Sequence, residues 1–459
     1  MCNTQHTVKE NVYTVIFAQE LCVVMLDNNL GYANDKQQYC VYKYLPLIEC
    51  IRRTEREYCK FRGKGKMTIK MIPAQYGDCF WINTNNKFNI LVDGGLRSTY
   101  TKWIKPLVSL EDKRETIFDL VIVTHIDRDH IGGIIALLEN CKKSQGMGVK
   151  EIWHNGLFQI VGEKFLEHTD QNAERDEKIL DSIIKKGYLS GEPQNIGVSE
   201  SFALDILIQE KSIVRNLGNE GDAICDKTED YIIGKLTKIV VLGPEKESIK
   251  AMDKYWQKEM IARNYRFQVK NRIKLMKAFE FQMSAVNNYY APPELKVSGA
   301  DSIELYLSNL GKEDDSVTNR SSICFVIEEG KHKILFLGDT VICDNGSIIE
   351  QLEKKYGKEY HFTAIKLPHH GSEYNVSVNF IKRYTADEYY FSTNSKCSEH
   401  PSIGVIADII YYTREYSKKL IFNYPLEVIK RFDRNDWKQK YHYDLVIGNG
   451  EEVVKRSYE

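Results

Sequence analysis

The sequence lacks an apolar stretch long enough to cross a membrane, which would need about 18 or more residues. Residues 12–26 come closest, but Gln19 and Glu20 interrupt them. Lys9 and Glu10 precede this stretch in place of a basic segment, and no clear cleavage site follows it, which argues against a secretory signal peptide. We therefore expect a cytoplasmic protein with no membrane partner.

The sequence also lacks a disulfide framework and a global charge. The 11 cysteines have no regular spacing and form no Cys-x-x-Cys pair, a pattern typical of reduced thiols in a cytoplasm. The formal net charge is −1, which argues against a globally basic nucleic-acid binder but permits a local basic face. With 459 residues and 42% hydrophobic content, the chain can build one large domain or two ordinary ones.

The most informative stretch that is present covers residues 120–133, LVIVTHIDRDHIGG. Its apolar run predicts a buried strand, and the glycine pair with the apolar pattern behind it predicts a helix. Polar residues between a strand and a helix mark the usual ligand site of an α/β sheet. Four metal-ligand types lie there within six positions, namely His125, Asp127, Asp129 and His130. Helix caps and turns also use Asp and His, but they do not explain four together, so we interpret the cluster as a metal site.

Three later motifs also place polar residues directly after a predicted strand. They are FLGDT at 336–340, KLPHHGS at 366–372 and EHP at 399–401. Each is a weak signal by itself, since Gly-Asp is a common turn dipeptide. Together they predict a single site with the central stretch, because the carboxyl ends of parallel strands meet at one edge of a sheet.

THIDRDHIGG resembles the HxHxDH signature of the metallo-β-lactamase fold, in the HxDxDH variant of the nuclease domain of ComEC competence proteins. GDCFWI and ILVDGG resemble the first two strands of that domain, and the later motifs follow its order. The resemblance covers about residues 67–410, apart from an inserted segment. It implies an α/β fold, the metallo-β-lactamase αββα sandwich. It also implies that Asp93 supports the metal loops without binding metal.

The resemblance further implies two divalent metal ions. By position, their ligands are His125, Asp127, Asp129, His130, Asp339 and His400. Asp339 would bridge the two ions, and His400 would be the last ligand of the ion held by Asp129 and His130.

Two departures from the family affect the ion held by His125. Asp127 stands where most members have a second histidine. A third histidine is missing, because the strand that should supply it ends at Leu242–Gly243–Pro244; His154, at an earlier strand end, is a candidate substitute. The resulting ligand set is mixed. Carboxylates and water favour Mn²⁺ or Mg²⁺ and imidazole favours Zn²⁺, so Zn²⁺ and Mn²⁺ both remain open.

Hydrolysis of a phosphodiester also needs an acid for the leaving oxygen. His369 and His370 are both candidates, since imidazole titrates near neutral pH and the family places HHGS beside the site. Lys366 and Ser372 are candidates for a charge and a hydrogen bond to the phosphate. Asp129 is predicted to take part in catalysis as well as to bind metal.

Two segments lie outside the resemblance. Residues 1–64 are predicted to be an N-terminal extension of unknown role, followed by a hydrolase domain at 65–459, with Met67 as an alternative start. Residues 245–318 are predicted to be a long helical insertion. Between Asp253 and Lys277 it holds eight Lys/Arg against two acids, interleaved with aromatics. That pattern suits either a single-stranded nucleic-acid surface or an amphipathic helix with buried aromatics.

These features predict a metal-dependent hydrolase, a ComEC-like phosphodiesterase or nuclease that acts on DNA or another phosphodiester. One alternative is a hydrolase of a cyclic nucleotide, a phosphocholine ester or a lactone. The other is a partner-activated subunit of a bacterial anti-phage system, although the sequence identifies no protein partner. The fold alone does not decide among them. ComEC joins this domain to a membrane channel, which is absent from this sequence, so a role in DNA uptake is not implied.

Overall fold

The computed structural model describes residues 11–17, 20–26, 66–111, 118–141, 148–156, 159–160, 178–179, 181–182, 200–217, 222–262, 302–308, 313–397 and 399–459. The chain divides into two compact units, Met1–Lys64 and Gly65–Glu459. The first unit contains an antiparallel hairpin of β1 (Asn11–Phe17) and β2 (Glu20–Leu26). All the motifs with metal-ligand residues lie in the second unit.

Short apolar runs between polar turns give the second unit its strands. In chain order they are β3 (Met67–Met71), β4 (Phe80–Asn83), β5 (Asn89–Val92), β6 (Phe118–Ile122), β7 (Val149–Trp153), β8 (Val214–Arg215), β9 (Tyr231–Ile233), β10 (Thr237–Gly243), β11 (Cys324–Glu329), β12 (His332–Phe336), β13 (Tyr360–Lys366), β14 (Tyr384–Phe391), β15 (Lys418–Phe422), β16 (Tyr443–Ile447) and β17 (Val454–Tyr458).

These strands form two sheets, each antiparallel at one side and parallel at the other. The 7-stranded sheet has the order β17-β3-β4-β5-β6-β7-β8, and the 8-stranded sheet has the order β16-β15-β14-β13-β12-β11-β10-β9. Pairing is parallel from β5 to β8 in the first sheet and from β12 to β16 in the second. The predicted parallel pairing is therefore confirmed, and it places several strand ends along a common edge of each sheet.

Helices connect the strands and cover the outer faces of the sheets. They are α1 (Arg97–Thr99), α2 (Lys105–Glu111), α3 (Arg128–Asn140), α4 (Glu200–Glu210), α5 (Lys246–Ala262), α6 (Ser347–Tyr356), α7 (Val378–Arg383), α8 (Ile403–Tyr412) and α9 (Asn435–Tyr441). A π-helical turn, Tyr100–Ile104, joins α1 to α2, and short 3₁₀ turns lie at Ile303–Tyr306, Asn319–Ser321, Pro368–Gly371 and Glu427–Arg431.

The core has three apolar clusters, which define four layers. Between the two sheets, the Phe80 ring meets the Phe336 ring edge to face at a centroid distance of 5.6 Å. A second cluster joins the 7-stranded sheet to α3, and a third joins the 8-stranded sheet to α6, α7, α8 and α9. Because both faces of each sheet are covered, strand residues such as Leu120 and Val121 are fully buried. The predicted αββα sandwich is confirmed.

Two further expectations concern helices. No helix in the described parts of the second unit is long and apolar enough to cross a membrane. The predicted insertion begins with α5, but residues 263–301 lie outside the described residues. These include most of the basic residues of the proposed nucleic-acid surface.

Candidate metal centre

The residues with metal-binding side chains gather where parallel strands of both sheets end. Asp93 follows β5 and His125 follows β6 in the 7-stranded sheet. Asp339 follows β12 and the pair His369–His370 follows β13 in the 8-stranded sheet. Motifs that are far apart in the sequence therefore contribute to one site, as the strand-end argument predicted.

Three buried imidazole rings, in addition to the partly exposed His369, surround the carboxylate of Asp339. Its Oδ2 atom lies 3.3 Å from Nε2 of His130, 3.7 Å from Nε2 of His370 and 4.0 Å from Nε2 of His125. Asp129 adds a second carboxylate, with Oδ2 at 3.6 Å from Nε2 of His370 and 3.9 Å from Nε2 of His130. Asp339 therefore has the central position that suits a carboxylate shared by two cations.

The loop between β6 and α3 supplies the rest of the cluster. Asp127 is the residue before the first turn of α3, and its Oδ2 lies 3.6 Å from Nε2 of His125. Asp129 lies in that first turn, where the helix dipole favours a negative charge. The tight change from strand to helix explains why four ligand types fit within six positions.

Asp93 holds His130 in place from the side opposite to Asp339. Its carboxylate accepts a hydrogen bond from Nδ1 of His130 at 2.9 Å, and from the amide and hydroxyl groups of Thr124, both at 2.8 Å. With the Nδ1 proton fixed in this way, Nε2 of His130 faces Asp339. Asp93 therefore has the supporting position expected from the sequence.

Glycine contacts bring α3 close to the loop that carries Asp93. The amide of Gly94 donates to the carbonyl of His130 at 2.7 Å, and the amide of Gly133 donates to the carbonyl of Gly95 at 2.8 Å. A Cβ atom on Gly133 would lie only 1.9 Å from the carbonyl oxygen of Gly94. The second glycine of the central motif is thus needed for the close approach of the two backbones.

Buried atoms without partners identify the cluster as a fit for cations. Within the described residues, Nε2 of His125, His130 and His370 and Oδ1 of Asp339 are buried and have no hydrogen-bond partner. Buried polar atoms are usually paired. Imidazole nitrogens and carboxylate oxygens are ligands for divalent ions such as Zn²⁺ and Mn²⁺, so this donor set fits such ions.

The electrostatics of the cluster favour positive charge. Burial lowers the pKa of His370, but the carboxylates of Asp339 and Asp78 outweigh it and raise this pKa from 6.5 to about 9. Burial also opposes the charge of His130, yet Asp339, Asp93 and Asp129 hold its pKa well above the usual value. The same excess of negative charge attracts a metal cation.

Asp78 belongs to the site but was not identified from the sequence. It is buried, forms an ion pair with Lys366, and has Oδ1 at 3.3 Å from Nδ1 of His370. Burial alone would raise its pKa, but the charges of Lys366 and His370 lower it to about 2. The sequence signal for Asp78 is its place in GDCFWI, at the turn before β4. Its contact with the metal loop, where its amide lies 3.3 Å from the carbonyl oxygen of Asp129, forms only in the folded protein.

Lys366 and Ser372 are buried and bonded within the protein. Nζ of Lys366 donates to the carbonyl of Gly338 at 2.9 Å and lies 3.7 Å from Oδ1 of Asp339. The hydroxyl of Ser372 accepts a hydrogen bond from the amide of Tyr374 at 3.2 Å. These contacts make Lys366 a counter-charge for the site carboxylates. Contact of Lys366 or Ser372 with a phosphate stays a prediction.

The turn at 369–371 separates the two adjacent histidines. His369 and His370 have φ values of 44° and 57°, in the left-handed region that costs side-chain-bearing residues of order 1–3 kcal/mol each. The amide of His369 donates to the carbonyl of Gly338 at 3.1 Å, and the carbonyl of Gly371 accepts from the amide of Ser402 at 3.0 Å. As a result the His370 side chain is 3% exposed inside the cluster and the His369 side chain is 20% exposed at its rim.

Two more histidines were candidate ligands from the sequence. His400 lies beside the cluster and His154 lies apart from it. The His400 ring packs against the His369 ring at a centroid distance of 4.8 Å, and Nδ1 of His400 is buried with no partner in the described residues. Nε2 of His154 lies 3.7 Å from Oδ1 of Asp205, and burial together with Arg215 holds the pKa of His154 well below its usual value. Neither belongs to a group of converging ligand atoms in the described residues, whereas His370 does.

An αββα sandwich with a His/Asp cluster at the ends of its parallel strands defines a protein of the metallo-β-lactamase fold. Residues 72–160 match the model of the family described as the Metallo-beta-lactamase superfamily. This segment of the chain is therefore similar to that superfamily. No curated protein matches the chain.

Several solved structures are similar to this chain at low sequence identity. The metallo-beta-lactamase fold protein YhfI from Bacillus subtilis is 10% identical, with 85% of this chain and 100% of that one covered and a TM-score of 0.35. CmlA, a diiron beta-hydroxylase from Streptomyces venezuelae, is 11% identical, with coverages of 86% and 54% and a TM-score of 0.33. A long form RNase Z from yeast is 10% identical, with coverages of 72% and 36% and a TM-score of 0.28.

Proposed function

We propose that this protein is a metal-dependent phosphodiesterase that cleaves nucleic acid, similar to the nuclease domain of ComEC. The observation that carries the proposal is the arrangement around Asp339, where buried Nε2 atoms of His125, His130 and His370 lie within 4.0 Å of one carboxylate oxygen. The ion expected is Zn²⁺ or Mn²⁺, because the donors are a mixture of imidazole nitrogens and carboxylate oxygens.

The donor atoms divide into two sets that share Asp339. We assign His125, Asp127 and Asp339 to one ion, and Asp129, His130, His370 and Asp339 to the other. The choice of His370 differs from the sequence-based expectation of His400. It rests on the distances of 3.6 Å and 3.7 Å from Nε2 of His370 to Asp129 and Asp339.

Two divalent ions in such a site would neutralise the charge of a phosphodiester and make water more acidic. The protein residues complete the reaction. His369, at the rim, has Nε2 at 3.9 Å from Oδ2 of Asp339 and can hold a proton there for the leaving oxygen. Lys366 forms an ion pair with Asp78 and also lies close to Asp339, so it balances the charge of both carboxylates in the buried wall of the site.

The substrate class rests on two features of the chain. A carboxylate-rich donor set with a histidine at its rim suits a phosphate ester better than a lactone. The basic and aromatic residues between Asp253 and Lys277 suit a polymer better than a small ester, although most of them lie outside the described part of the chain.

Asp129→Ala and His130→Ala test the proposal directly. We expect each variant to lose at least one equivalent of bound metal and to lose hydrolysis of single-stranded DNA and of bis(4-nitrophenyl) phosphate. The unfolding transition should remain cooperative, because both side chains face the site. Metal content by elemental analysis, initial rates and thermal unfolding are the measurements, with exposed Asp344 as the control in Asp344→Ala.

Full activity with unchanged metal content in either site variant would contradict the ligand assignment. A wild-type protein that holds metal and cleaves the small ester, but neither binds nor cleaves DNA, would favour the small-molecule alternative. A metal-loaded protein with no activity on any ester would favour a partner-activated subunit.

A further inference from the structure

A buried polar network lies behind His369, on the side away from the metal ligands. Nδ1 of His369 lies 3.0 Å from Oδ1 of Asn375, whose side chain is buried. Nδ2 of Asn375 donates to Oδ2 of Asp314 at 2.9 Å and to the carbonyl of Asp339 at 3.0 Å. Asp314 belongs to the segment 245–318, which the sequence indicated as an insertion.

The network fixes the tautomer and the direction of the His369 ring. Because Nδ2 of Asn375 is bonded to two oxygens, its Oδ1 must face His369 as an acceptor. His369 therefore keeps a hydrogen on Nδ1, and Nε2 is the atom that faces Asp339 and the rim of the site. The carboxylate of Asp314 also lies 3.7 Å from Nδ1 and adds negative charge on that side.

Asp314 is itself held in a fixed position. Its Oδ1 accepts from the amide of Ser316 at 2.8 Å, and its Oδ2 accepts from Nδ2 of Asn319 at 2.6 Å. The amide of Asp314 donates to the carbonyl of Tyr374, beside Asn375, at 3.0 Å. The loop therefore joins the segment after β13 by both backbone and side-chain bonds, and the carboxylate cannot turn away without breaking them.

We propose that Asp314 and Asn375 are positioning residues that direct Nε2 of His369 toward the leaving oxygen of the substrate. The inference rests on the proposed hydrolase function, and it assigns part of the predicted insertion to the active site. In the reaction, a water oxygen bonds to phosphorus and releases a proton to solvent, and the bond from phosphorus to the leaving oxygen breaks. The charged ring gives its Nε2 proton to that oxygen, keeps its Nδ1 hydrogen, and takes up a new Nε2 proton from solvent. Asn375 and Asp314 keep their own protons and charge throughout.

The test compares two substrates that differ in their need for a proton donor. The nitrophenolate of bis(4-nitrophenyl) phosphate leaves without a proton, whereas the alkoxide of a thymidine dinucleotide needs one. General acid catalysis contributes about 10²–10⁴-fold. We expect Asp314→Ala and Asn375→Ala to lower kcat for the dinucleotide about 10- to 100-fold at unchanged KM, with less than about a threefold effect on the nitrophenyl ester.

Two further variants separate positioning from folding. Asp314→Asn keeps an oxygen that can accept from Asn375, so it should restore most of the dinucleotide activity. Glu313→Gln removes the charge next to Asp314 in the chain. Because Glu313 pairs with Arg320 and not with the network of Asn375, both activities should be unchanged. Metal content should be the same in all four variants. Equal losses on both substrates, or a normal dinucleotide rate in Asp314→Ala, would overturn the inference.

A measurement independent of activity covers the case in which the protein hydrolyses neither substrate. Nitrogen NMR of protein labelled at histidine reports which ring nitrogen carries the proton, with His369→Gln used to assign the signal. We expect His369 to be protonated at Nδ1 in the wild type and to lose that preference in Asn375→Ala. A wild-type His369 without this preference would refute the positioning, whereas inactivity alone would refute only the proposed hydrolysis.

Discussion

Asp93 is a buried carboxylate that orients a residue of the site without facing Asp339 at its centre. It has a φ of 55°, which aspartate and asparagine tolerate better than most residues. From this strained position it reaches both Thr124 and His130. The orientation of the His130 ring thus depends on a residue from a neighbouring strand, and a change at Asp93 should affect metal binding more than stability.

Asp93→Asn tests this dependence. Asparagine keeps the left-handed backbone but weakens the charged hydrogen bond to Nδ1 of His130. We expect metal affinity to fall about 10- to 100-fold, as it does for other partners of ligating histidines. Competition with a chelator measures the affinity, and thermal unfolding of the metal-free protein serves as the control. An affinity equal to that of the wild type would show that Thr124 alone positions the ring.

The sequence predicted the site residues that stand close together in one motif. It did not predict the residues whose role depends on bonds to a distant segment. His125, Asp127, Asp129 and His130 stand in one motif, and the structure brings them together with Asp339. The roles of Asp78 and Asn375 depend on bonds to Lys366 and His369, which come from other segments. No local pattern records such pairs, because they form only when the two sheets and their loops pack.

Among the elements, the strands and α3 follow directly from apolar patterns, and the turn at 369–371 does not. Leu120–Val123 predicted a buried strand, as observed, and the apolar pattern from Ile134 predicted a helix. The helix is present, but it begins earlier, at Arg128, and contains the glycine pair. Two consecutive histidines with positive φ give only a weak signal, because few histidines adopt this conformation even though the residue is enriched there. The separate directions of His369 and His370 were therefore beyond prediction from sequence.

Lys418, at the start of β15, joins the carboxyl-terminal ends of two helices. Its Nζ donates to the carbonyls of Thr413 and Tyr416 after α8, at 3.0 Å and 3.2 Å, and to the carbonyl of Tyr441 at the end of α9, at 2.8 Å. Helix ends leave such carbonyls without partners in the helix. One buried ammonium group therefore satisfies three of them.

Lys418→Met should lower the free energy of unfolding by about 3 kcal/mol at neutral pH, because two buried carbonyls and one partly buried carbonyl lose their donor. Burial lowers the pKa of Lys418 from 10.5 to about 7, so between these values the unfolded chain binds a proton that the folded protein does not. The stability of the wild type relative to the variant should therefore rise from pH 7 to pH 10. Denaturant unfolding of both proteins across this range measures it, and a constant difference would show that the group does not titrate there.

For the whole molecule, the choice between a nucleic-acid substrate and a small ester depends on what the predicted insertion binds. Four of its basic residues, Arg263, Arg266, Lys270 and Lys274, lie outside the described residues. If this segment follows a nucleic-acid backbone, its cations replace counterions on the phosphates, and binding must weaken as salt increases.

Reversal of these four charges to glutamate should weaken oligonucleotide binding and reduce its salt dependence. Each lost phosphate contact removes about 0.7 from the log–log slope for a single strand. Turnover of bis(4-nitrophenyl) phosphate should not change, because the metal ligands lie in other segments. Fluorescence anisotropy at several salt concentrations measures the slope. An unchanged slope would mean that the charges are only solvated and that nucleic acid, if it binds, follows another surface.

The two sheets share one strand plan, although the sequence shows no internal repeat. In each, four strands pair antiparallel and the following strands pair parallel. An aspartate follows the last of the four antiparallel strands, and histidines follow the next strand. Two halves of equal topology that meet face to face have the architecture of a homodimer joined into one chain. The aspartates at the equivalent positions differ in what they contact, because Asp339 faces the imidazoles from the centre and Asp93 holds one of them from outside.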